Sequence, residues 1–306
     1  MGGVVRSVSL LSEGLAETGQ DVTVFTTNAN PLGKDMNIRS HNEYFIKGVK
    51  VNYFSVKYFK KKYFYSPELK KELKKSIKNY DLIHINAFWS YPGKVGAKLA
   101  RKHNIPYIIS PRGTFDDYSL SKKKIKKQLY RRLFENKIIK NASAVHYTTE
   151  LEKESSPECV KLNKKDFIVP NPVPVEEFKV DFDKKAAREY LDIPEESKVI
   201  SYIGRLHKRK ALDVLIESFK IISNKIDSCH LIIAGPDDGY KKKLMKLACK
   251  NGNKENIHFK GYVGKKDKNY ILKASDLFWL ASYPGENFGH SAVEALAMGV
   301  PLVISK

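Results

Sequence analysis

Short apolar runs alternate with amphipathic stretches along most of the chain, and this pattern predicts strands alternating with helices. Such alternation is typical of α/β domains built on parallel sheets. In the first half the predicted strands are Asp21–Thr27, Asp81–Asn86, Pro106–Ser110 and Ala144–Thr148. In the second half they are Lys198–Gly204, His230–Gly235, Asn256–Gly261, Asp276–Ala281 and Pro301–Ser305.

The proline-rich segment Val169-Pro-Asn-Pro-Val-Pro174 lies between the two sets of strands. Because proline interrupts regular structure, it predicts a boundary between two domains, residues 1–172 and residues 173–306. A chain of 306 residues with 42% hydrophobic content is large enough to bury two cores.

The sequence near each end of the chain predicts that the domain there lacks an element of secondary structure. Gly2 and Gly3 lead directly into a predicted helix, Val4 to Ala16, without the central strand that a doubly wound domain places first. The predicted strand 301–305 is not followed by further helices. We therefore expect the first domain to lack its first strand and the second to lack its closing helices.

The segment from Gly285 to Ser305 carries the strongest candidate chemistry. Residues 290–298 predict a short helix that is apolar on nearly every face, as in a buried helix, yet Glu294 lies in its middle. A buried carboxylate is costly unless it is paired or hydrogen-bonded, so Glu294 predicts a polar ligand such as sugar hydroxyls. A buried pair between Glu294 and a Lys or Arg is the alternative. Glu286, in the preceding Gly-rich loop, is either a second ligand group or simply solvated.

The start of the same helix predicts an anion site. The backbone N–H groups of Asn287, Phe288, Gly289 and His290 lie where the helix dipole favours negative charge. Carboxylates for hydroxyls and amides for a phosphate together are the chemistry of a nucleotide-sugar site.

A basic turn forms the second candidate. The strand ending at Gly204 leads into Arg205-Leu-His-Lys-Arg-Lys210, which is followed by an amphipathic helix from Ala211 to Phe219. Cations at the carboxyl end of a parallel strand are well placed to neutralise a leaving diphosphate. A solvated basic turn is the alternative.

A metal ion is the other means of neutralising a diphosphate. The string Asp181-Phe-Asp183 precedes a helix-like run, Lys184 to Leu191, so Asp183 is predicted to cap that helix. The three cysteines (Cys159, Cys229 and Cys249) have neither metal-site spacing nor the pattern of a disulfide framework, which fits a reducing cytosol. We therefore expect no metal and no other cofactor.

The net charge of +21 is concentrated in two stretches, 57–77 and 122–134. Their interleaved lysines and aromatics favour an anionic membrane surface or plain solvated helix faces over nucleic acid. Because no apolar run approaches the ~20 residues needed to span a bilayer, and no signal peptide is present, we expect a cytoplasmic protein. Peripheral association with the inner face of the cell membrane is the accompanying hypothesis.

The Glu-x7-Glu pattern followed by Ala-Leu-Ala-x-Gly-x-Pro-Leu-Val resembles glycosyltransferase family 4, a group of retaining enzymes with the GT-B fold. The segments Ser110–Thr114 and His146–Glu150 also look like family segments, so the resemblance covers essentially the whole chain. It implies two Rossmann-like domains with parallel sheets facing a cleft. The first domain would bind the acceptor and the second the nucleotide sugar.

The resemblance also implies residue roles on the donor side. Glu286 would face the donor hexose and Glu294 would bind the nucleotide ribose. Arg205 and Lys210 match the two diphosphate-binding cations of the family's Gly-Arg-Leu…Lys-Gly motif, which begins here at Gly204.

Two glycine positions bear on the same site. Gly2 and Gly3 match a glycine-rich turn near the donor phosphates, although a Gly-Gly pair is more often a simple turn. Where the family has Gly after the motif lysine, this chain has Ala211, a departure that we expect to matter little.

On the acceptor side one position departs from the family pattern. Many members have a histidine facing the reacting sugar where this chain has Arg112. An arginine cannot act as a base at neutral pH, so Arg112 is predicted to hold a sugar hydroxyl or an acceptor phosphate, with a structural ion pair as the alternative. His84, at the end of an earlier strand, is the nearest other imidazole, and a structural role is the alternative for it.

Taken together, these features predict a metal-independent, retaining hexosyltransferase. It would move a sugar from a nucleotide-diphosphate sugar to a hydroxyl of a glycan or lipid-linked acceptor, in polysaccharide, glycolipid or glycan biosynthesis. One alternative is another GT-B enzyme, a phosphorylase or an epimerase. The other is a non-catalytic basic module that binds a membrane or nucleic acid.

Overall fold

The computed structural model describes residues 3–29, 43–57, 63–87, 90–114, 136–156, 165–283 and 288–305. The chain separates into two compact units, Met1–Pro172 and Val173–Lys306. The division lies within the proline-rich segment, at the residue where the sequence places the domain boundary.

The first unit contains two sheets. Its strands are β1 (Thr23–Thr27), β2 (Glu43–Ile46), β3 (Val49–Phe54), β4 (Ile83–Asn86), β5 (Tyr107–Ser110), β6 (Ala144–Tyr147) and β7 (Asp166–Ile168). Its helices are α1 (Gly3–Glu17), α2 (Pro67–Ser76), α3 (Tyr91–Lys102), α4 (Asn136–Lys140) and α5 (Glu150–Glu154), with a 3-10 turn at Ile77–Asn79. One sheet has the order β1-β3-β2, and the other has the parallel order β4-β5-β6-β7.

Both sheets of the first unit contribute to one apolar cluster, which includes Phe54 of β3 and Ile85 of β4. Helix α2 shows how the sequence builds this core. Ser66 caps the helix by accepting a hydrogen bond from the Leu69 N–H at 3.3 Å, and Leu69 and Leu73 are buried on one face. Among the described strands, β1 and β4 are each paired on one side only. The expected absence of a central strand stays a prediction.

The second unit is a single parallel sheet covered by helices. Its strands are β8 (Lys198–Ile203), β9 (Cys229–Ala234), β10 (Ile257–Gly261), β11 (Leu277–Leu280) and β12 (Leu302–Ile304). Its helices are α6 (Lys184–Tyr190), α7 (Leu212–Ser223), α8 (Lys241–Lys250), α9 (Lys265–Ala274) and α10 (His290–Ala297), with 3-10 turns at Val175–Phe178 and Lys208–Lys210. The strand order is β10-β9-β8-β11-β12, and every neighbouring pair is parallel.

The sheet of the second unit is buried on both faces. Tyr202 and Leu231 pack into one apolar cluster, while Val199 and Ile232 of the same two strands pack into the cluster on the opposite face. Burial on both sides explains why β8 and β9 read as continuous apolar runs rather than alternating ones. Asp183 caps α6 as expected, because its Oδ1 accepts the Ala186 N–H at 2.8 Å.

Three elements differ from the sequence prediction. An antiparallel hairpin, β2–β3, was not predicted; it turns at Lys47 and Gly48, whose φ angles of 47° and 77° are both left-handed. A turn with two positive φ angles matches the right-handed twist of the strands it joins. The short strand β7 was also not predicted, because three residues carry too little periodicity to recognise.

The third difference concerns α10, which was expected to be buried on nearly every face. Ala292, Glu294 and Ala295 are buried, but the side chain of Leu296 is 57% exposed. The expectation of a wholly buried helix was therefore wrong, since apolar composition does not by itself cover every face.

Candidate functional site

The basic turn of the second unit follows the carboxyl end of β8. Arg205 is exposed, and its Nη1 lies 2.7 Å from Oδ2 of Asp238, in the loop that follows β9. An exposed pair of this kind contributes about 1 kcal/mol or less. Arg205 can therefore be drawn to a phosphate at little cost.

Close backbone packing holds these two loops together. A Cβ placed on Gly235 would lie 1.8 Å from the carbonyl oxygen of Gly204, so no side chain fits there. Beyond the glycines, Leu206 and Asp237 form a parallel bridge, and the Asp238 N–H donates to the Leu206 carbonyl at 3.1 Å. Gly204 thus positions the turn through its contact with the neighbouring strand.

The turn itself is a single 3-10 segment, Lys208–Lys210. His207 caps it, with Nδ1 accepting the Arg209 N–H at 3.2 Å. Lys210 is half-buried at its end. The next residue, Ala211, adopts φ 45° and ψ 36°, the left-handed conformation that favours glycine. The Cβ of Ala211 therefore strains the backbone at the start of α7, while the expectation that this departure matters little for the site stays a prediction.

Glycine in place of Ala211 is expected to raise the free energy of unfolding by roughly 0.2–1.2 kcal/mol, the difference between two effects. Relief of the left-handed conformation gains about 1–2 kcal/mol, and loss of a buried methyl offsets at most about 0.8 kcal/mol of it. Urea titration measures the difference. As a matched control, Ala187→Gly in the interior of α6 should destabilise, and a loss of stability in both variants would contradict the proposed strain.

The loop after β11 lies against the basic turn. The Tyr283 N–H donates to the carbonyl of Arg209 at 2.9 Å, across the adjacent ends of β8 and β11. The chain then continues toward Glu286 and Asn287, two predicted site residues that lie outside the described residues. Tyr283, two residues before the segment that begins at Gly285, thus lies against the basic turn at the carboxyl edge of one sheet.

Helix α10 begins at the end of this loop. Gly289 precedes it in the left-handed conformation (φ 68°), and no side chain caps the helix. The rings of Phe288 and His290 lie 4.9 Å apart, centroid to centroid. This geometry agrees with a helix start at His290, as the sequence predicts.

Glu294 is buried and ion-paired. Its Oε1 lies 2.9 Å from Nζ of Lys268 on α9, and the two side chains are only 8% and 14% exposed. The ammonium of Lys268 also lies 5.2 Å from the ring centroid of Phe178. The alternative of a paired carboxylate is therefore present, and a ligand role for Glu294 stays a prediction.

The first unit gathers polar side chains at the carboxyl edge of its parallel sheet. Arg112, just after β5, is 9% exposed and has φ 53°. Its Nε donates to Oδ1 of Asn86 at 3.1 Å, and its Nη1 donates to Oδ1 of Asn171. Its Nη2 is buried and has no hydrogen-bond partner among the described residues. A structural ion pair was the alternative for Arg112, and the described residues provide none within salt-bridge distance.

His84 belongs to the same edge. Its Nε2 lies 2.7 Å from Ser110 Oγ, which lies 2.9 Å from Nδ1 of His146. The Nε2 of His146 is 2.9 Å from the carbonyl of Val169 and must donate to it. Burial, together with the nearby His146 and Arg112, lowers the pKa of His84 to about 3. With a neutral His146, Ser110 donates to it, and His84 Nε2–H donates to Ser110.

Glu152 anchors this edge and was not singled out in the sequence. Its Oε1 accepts the Gly113 N–H at 2.7 Å, and its Oε2 accepts both the N–H and the hydroxyl of Thr148 at 2.8 Å. The Thr149-x-x-Glu152 spacing, typical of a helix capping box, is the signal that could have found it.

The remaining predictions concern the two glycines at the start of the chain and the three cysteines. Gly2 lies outside the described residues, and Gly3 is the first residue of α1 rather than part of a turn. Cys229 and Cys249 are free, and Cys159 is outside the described residues.

Among the residues that the structure describes, no group of three or more His, Cys, Asp or Glu side chains could hold a metal ion. In that same part of the chain, no helix has both the length and the apolar character needed to cross a bilayer.

Comparison with known families decides the classification. The family model for "Glycosyltransferase Family 4" matches residues 1–177, and the family model for "Glycosyl transferases group 1" matches residues 183–306. The chain belongs to glycosyltransferase family 4. Among curated relatives, an uncharacterised glycosyltransferase of Methanocaldococcus jannaschii is 26% identical over the whole chain and 77% of its own length.

A second relative covers less of the family 4 chain. The D-inositol 3-phosphate glycosyltransferase of Mycobacterium sp. strain KMS is 27% identical over 73% of the chain, which spans about half (51%) of that relative.

Solved structures show that this family 4 protein has the GT-B fold. Anabaena HepE in complex with UDP and glucose superposes with a TM-score of 0.72 at 17% identity, covering 100% of this chain and 77% of that one. Sucrose-phosphate synthase from Thermosynechococcus elongatus gives 0.74 at 21% identity, covering 99% and 75%. The predicted family and fold are thus confirmed.

Proposed function

We propose that this family 4 protein is a retaining glycosyltransferase that moves a sugar from a nucleotide-diphosphate sugar to a hydroxyl acceptor. The hydrogen bond from the Tyr283 N–H to the Arg209 carbonyl carries the proposal. It places the basic turn beside the loop that leads to Glu286 and α10. This contact supports a site in which cations, a helix start and carboxylates share the carboxyl edge of one sheet, where open α/β sheets bind ligands.

Each part of this edge has a chemical task. Arg205 and Lys210 would neutralise the negative charge that grows on the departing diphosphate. Glu286 would orient the hexose and stabilise positive charge at its anomeric carbon, while Glu294 would bind the ribose. Because two cations are available to the diphosphate, we propose that transfer needs no divalent metal.

The nucleotide sugar is the partner with the most support. The HepE structure contains UDP and glucose, and we extend the class of ligand, though not the base or the sugar, to this chain. The acceptor would bind to the first unit, with Arg112 and His84 as candidate contacts. Polysaccharide, glycolipid or glycan synthesis is the corresponding biological role.

We further propose peripheral association with an anionic membrane. Helix α2 carries exposed lysines at positions 70, 71, 74 and 75, opposite its buried leucines. Basic residues near an anionic surface each contribute about 1 kcal/mol. Co-sedimentation with anionic vesicles, absent after replacement of these four lysines by glutamine, would support this location; equal binding would contradict it.

A ligand screen tests the main proposal. UDP, GDP and ADP are added to the protein with magnesium or with a chelator, and the melting temperature is recorded. One diphosphate is expected to raise it equally in both conditions, since a ligand that binds only the folded state stabilises it.

Two outcomes of the screen would contradict the proposal. Stabilisation only with magnesium would overturn metal independence. If no diphosphate stabilises the protein, the nucleotide-sugar site is wrong and the basic binding module is favoured. In a separate activity assay, release of sugar that depends on added phosphate would indicate a phosphorylase instead of a glycosyltransferase.

A further inference from the structure

The carboxyl edge of the β4–β7 sheet contains a buried cation that has no carboxylate within salt-bridge distance among the described residues. Arg112 is 9% exposed and makes hydrogen bonds to two neutral amide oxygens, those of Asn86 and Asn171. An arginine stays charged at neutral pH. Burying such a charge without a paired anion is costly, so a structure that retains one usually supplies a partner for it.

Glu152, the carboxylate that the described residues bring to this cluster, is already engaged. Both oxygens of Glu152 accept hydrogen bonds from Gly113 and Thr148, at 2.7–2.8 Å. Glu152 acts on Arg112 only through space, where it partly opposes the lowering of the Arg112 pKa by burial. It therefore does not supply the missing acceptor.

The neighbouring imidazoles do not compensate the charge either. Burial lowers the pKa of both His84 and His146, so both are neutral at pH 7. A neutral His84 neither adds to the positive charge of Arg112 nor balances it. The edge thus carries one guanidinium whose Nη2, buried and without a hydrogen-bond partner, lacks an acceptor among the described residues.

We infer that Arg112 binds an oxyanion, a phosphate or a carboxylate, carried by the molecule that the first unit holds. The inference rests on the proposed function for the identity of that molecule as the acceptor, and it makes the acceptor an anionic one. A guanidinium presents parallel N–H donors that match an oxyanion, which a neutral sugar hydroxyl does not exploit. Arg112 would act as a binding and specificity residue, with no part in proton transfer.

Inorganic phosphate is the first probe, titrated by calorimetry at constant ionic strength. Because phosphate is also expected to bind near Lys210, the comparison is made in the Lys210→Ala background. There, Arg112→Gln should weaken phosphate binding by about 10- to 100-fold, the loss of one charge-assisted hydrogen bond. Arg101→Gln, which removes an exposed arginine from α3, is the matched control and should leave binding unchanged.

Further arms identify the source of the oxyanion. The same variants are titrated with acetate, with a soluble sugar phosphate and with vesicles of phosphatidic acid in phosphatidylcholine. A loss of binding in Arg112→Gln toward any of these probes supports the inference and names a carboxylate, a free phosphate or a lipid phosphate. Equal binding by the Arg112→Gln and Arg101→Gln variants for every probe would overturn it.

Folding and the proposed function are controlled separately. If Arg112→Gln does not fold, Arg112→Lys keeps the charge but removes the planar donors, and unchanged binding in that variant would also overturn the inference. Stabilisation by a nucleoside diphosphate is recorded in the wild-type and Arg112→Gln proteins. If it is absent from both while the Arg112-dependent phosphate binding persists, the proposed function fails and the anion site remains.

Discussion

Alanine in place of Lys210 is expected to lower kcat for sugar transfer by about 10²- to 10³-fold, the cost of removing one group that stabilises charge in a transition state. The diphosphate gains negative charge as the glycosidic bond breaks, so the ammonium contributes more to the transition state than to the bound donor. KM for the nucleotide sugar should therefore change much less than kcat. Steady-state rates measured over a range of donor concentrations, at saturating acceptor, give both constants.

The neighbouring Lys208 provides the control. It lies in the same 3-10 turn but is exposed, so Lys208→Ala removes an equal charge close by. Lys208→Ala should keep kcat within about twofold, because exposed charges at a distance are screened by salt. Equal losses in the two variants would indicate a general effect of charge, and full activity of Lys210→Ala would remove Lys210 from the site.

The parallel sheet of the second unit could be predicted well from the sequence. Strands β8 and β9 are buried on both faces, so their apolar runs are long and stand out between polar turns. The role of Asp183 as a helix cap could be predicted because it depends only on Ala186, three residues further along the chain. Local rules are sufficient for elements of this kind.

Features that depend on residues distant in sequence could not be predicted. The strain at Ala211 arises because the turn must bring Lys210 and α7 to one place, and composition does not reveal a φ angle. Lys268, which pairs with Glu294, lies on a different helix, and the residues around it in the sequence do not mark it as the partner of a buried carboxylate. Arg112 was recognised as a departure from the family, but its two amide partners and the engagement of Glu152 elsewhere required the fold.

The pairing of Glu294 changes what a mutation at this position reports. Glu294→Ala leaves the ammonium of Lys268 buried without its carboxylate, which is expected to cost about 3–5 kcal/mol of unfolding free energy. Urea titration measures that loss. Glu217→Ala, an exposed glutamate on α7, is the matched control and should change stability by about 0.5 kcal/mol or less. A Glu294→Ala protein as stable as this control would show that the pair contributes nothing.

The loss of stability and the loss of ribose binding can be separated by a double variant. In Lys268→Met/Glu294→Gln neither buried charge remains, so stability should recover most of what Lys268→Met or Glu294→Gln loses alone, giving strongly non-additive free energies. If Glu294 also binds the ribose, the recovered protein should still bind the nucleoside diphosphate about 10- to 100-fold more weakly, since a hydrogen bond to a charged group contributes about 1.5–3 kcal/mol. Wild-type affinity in the stable double variant would instead assign Glu294 to the structure alone, and the ribose would then be bound by another group.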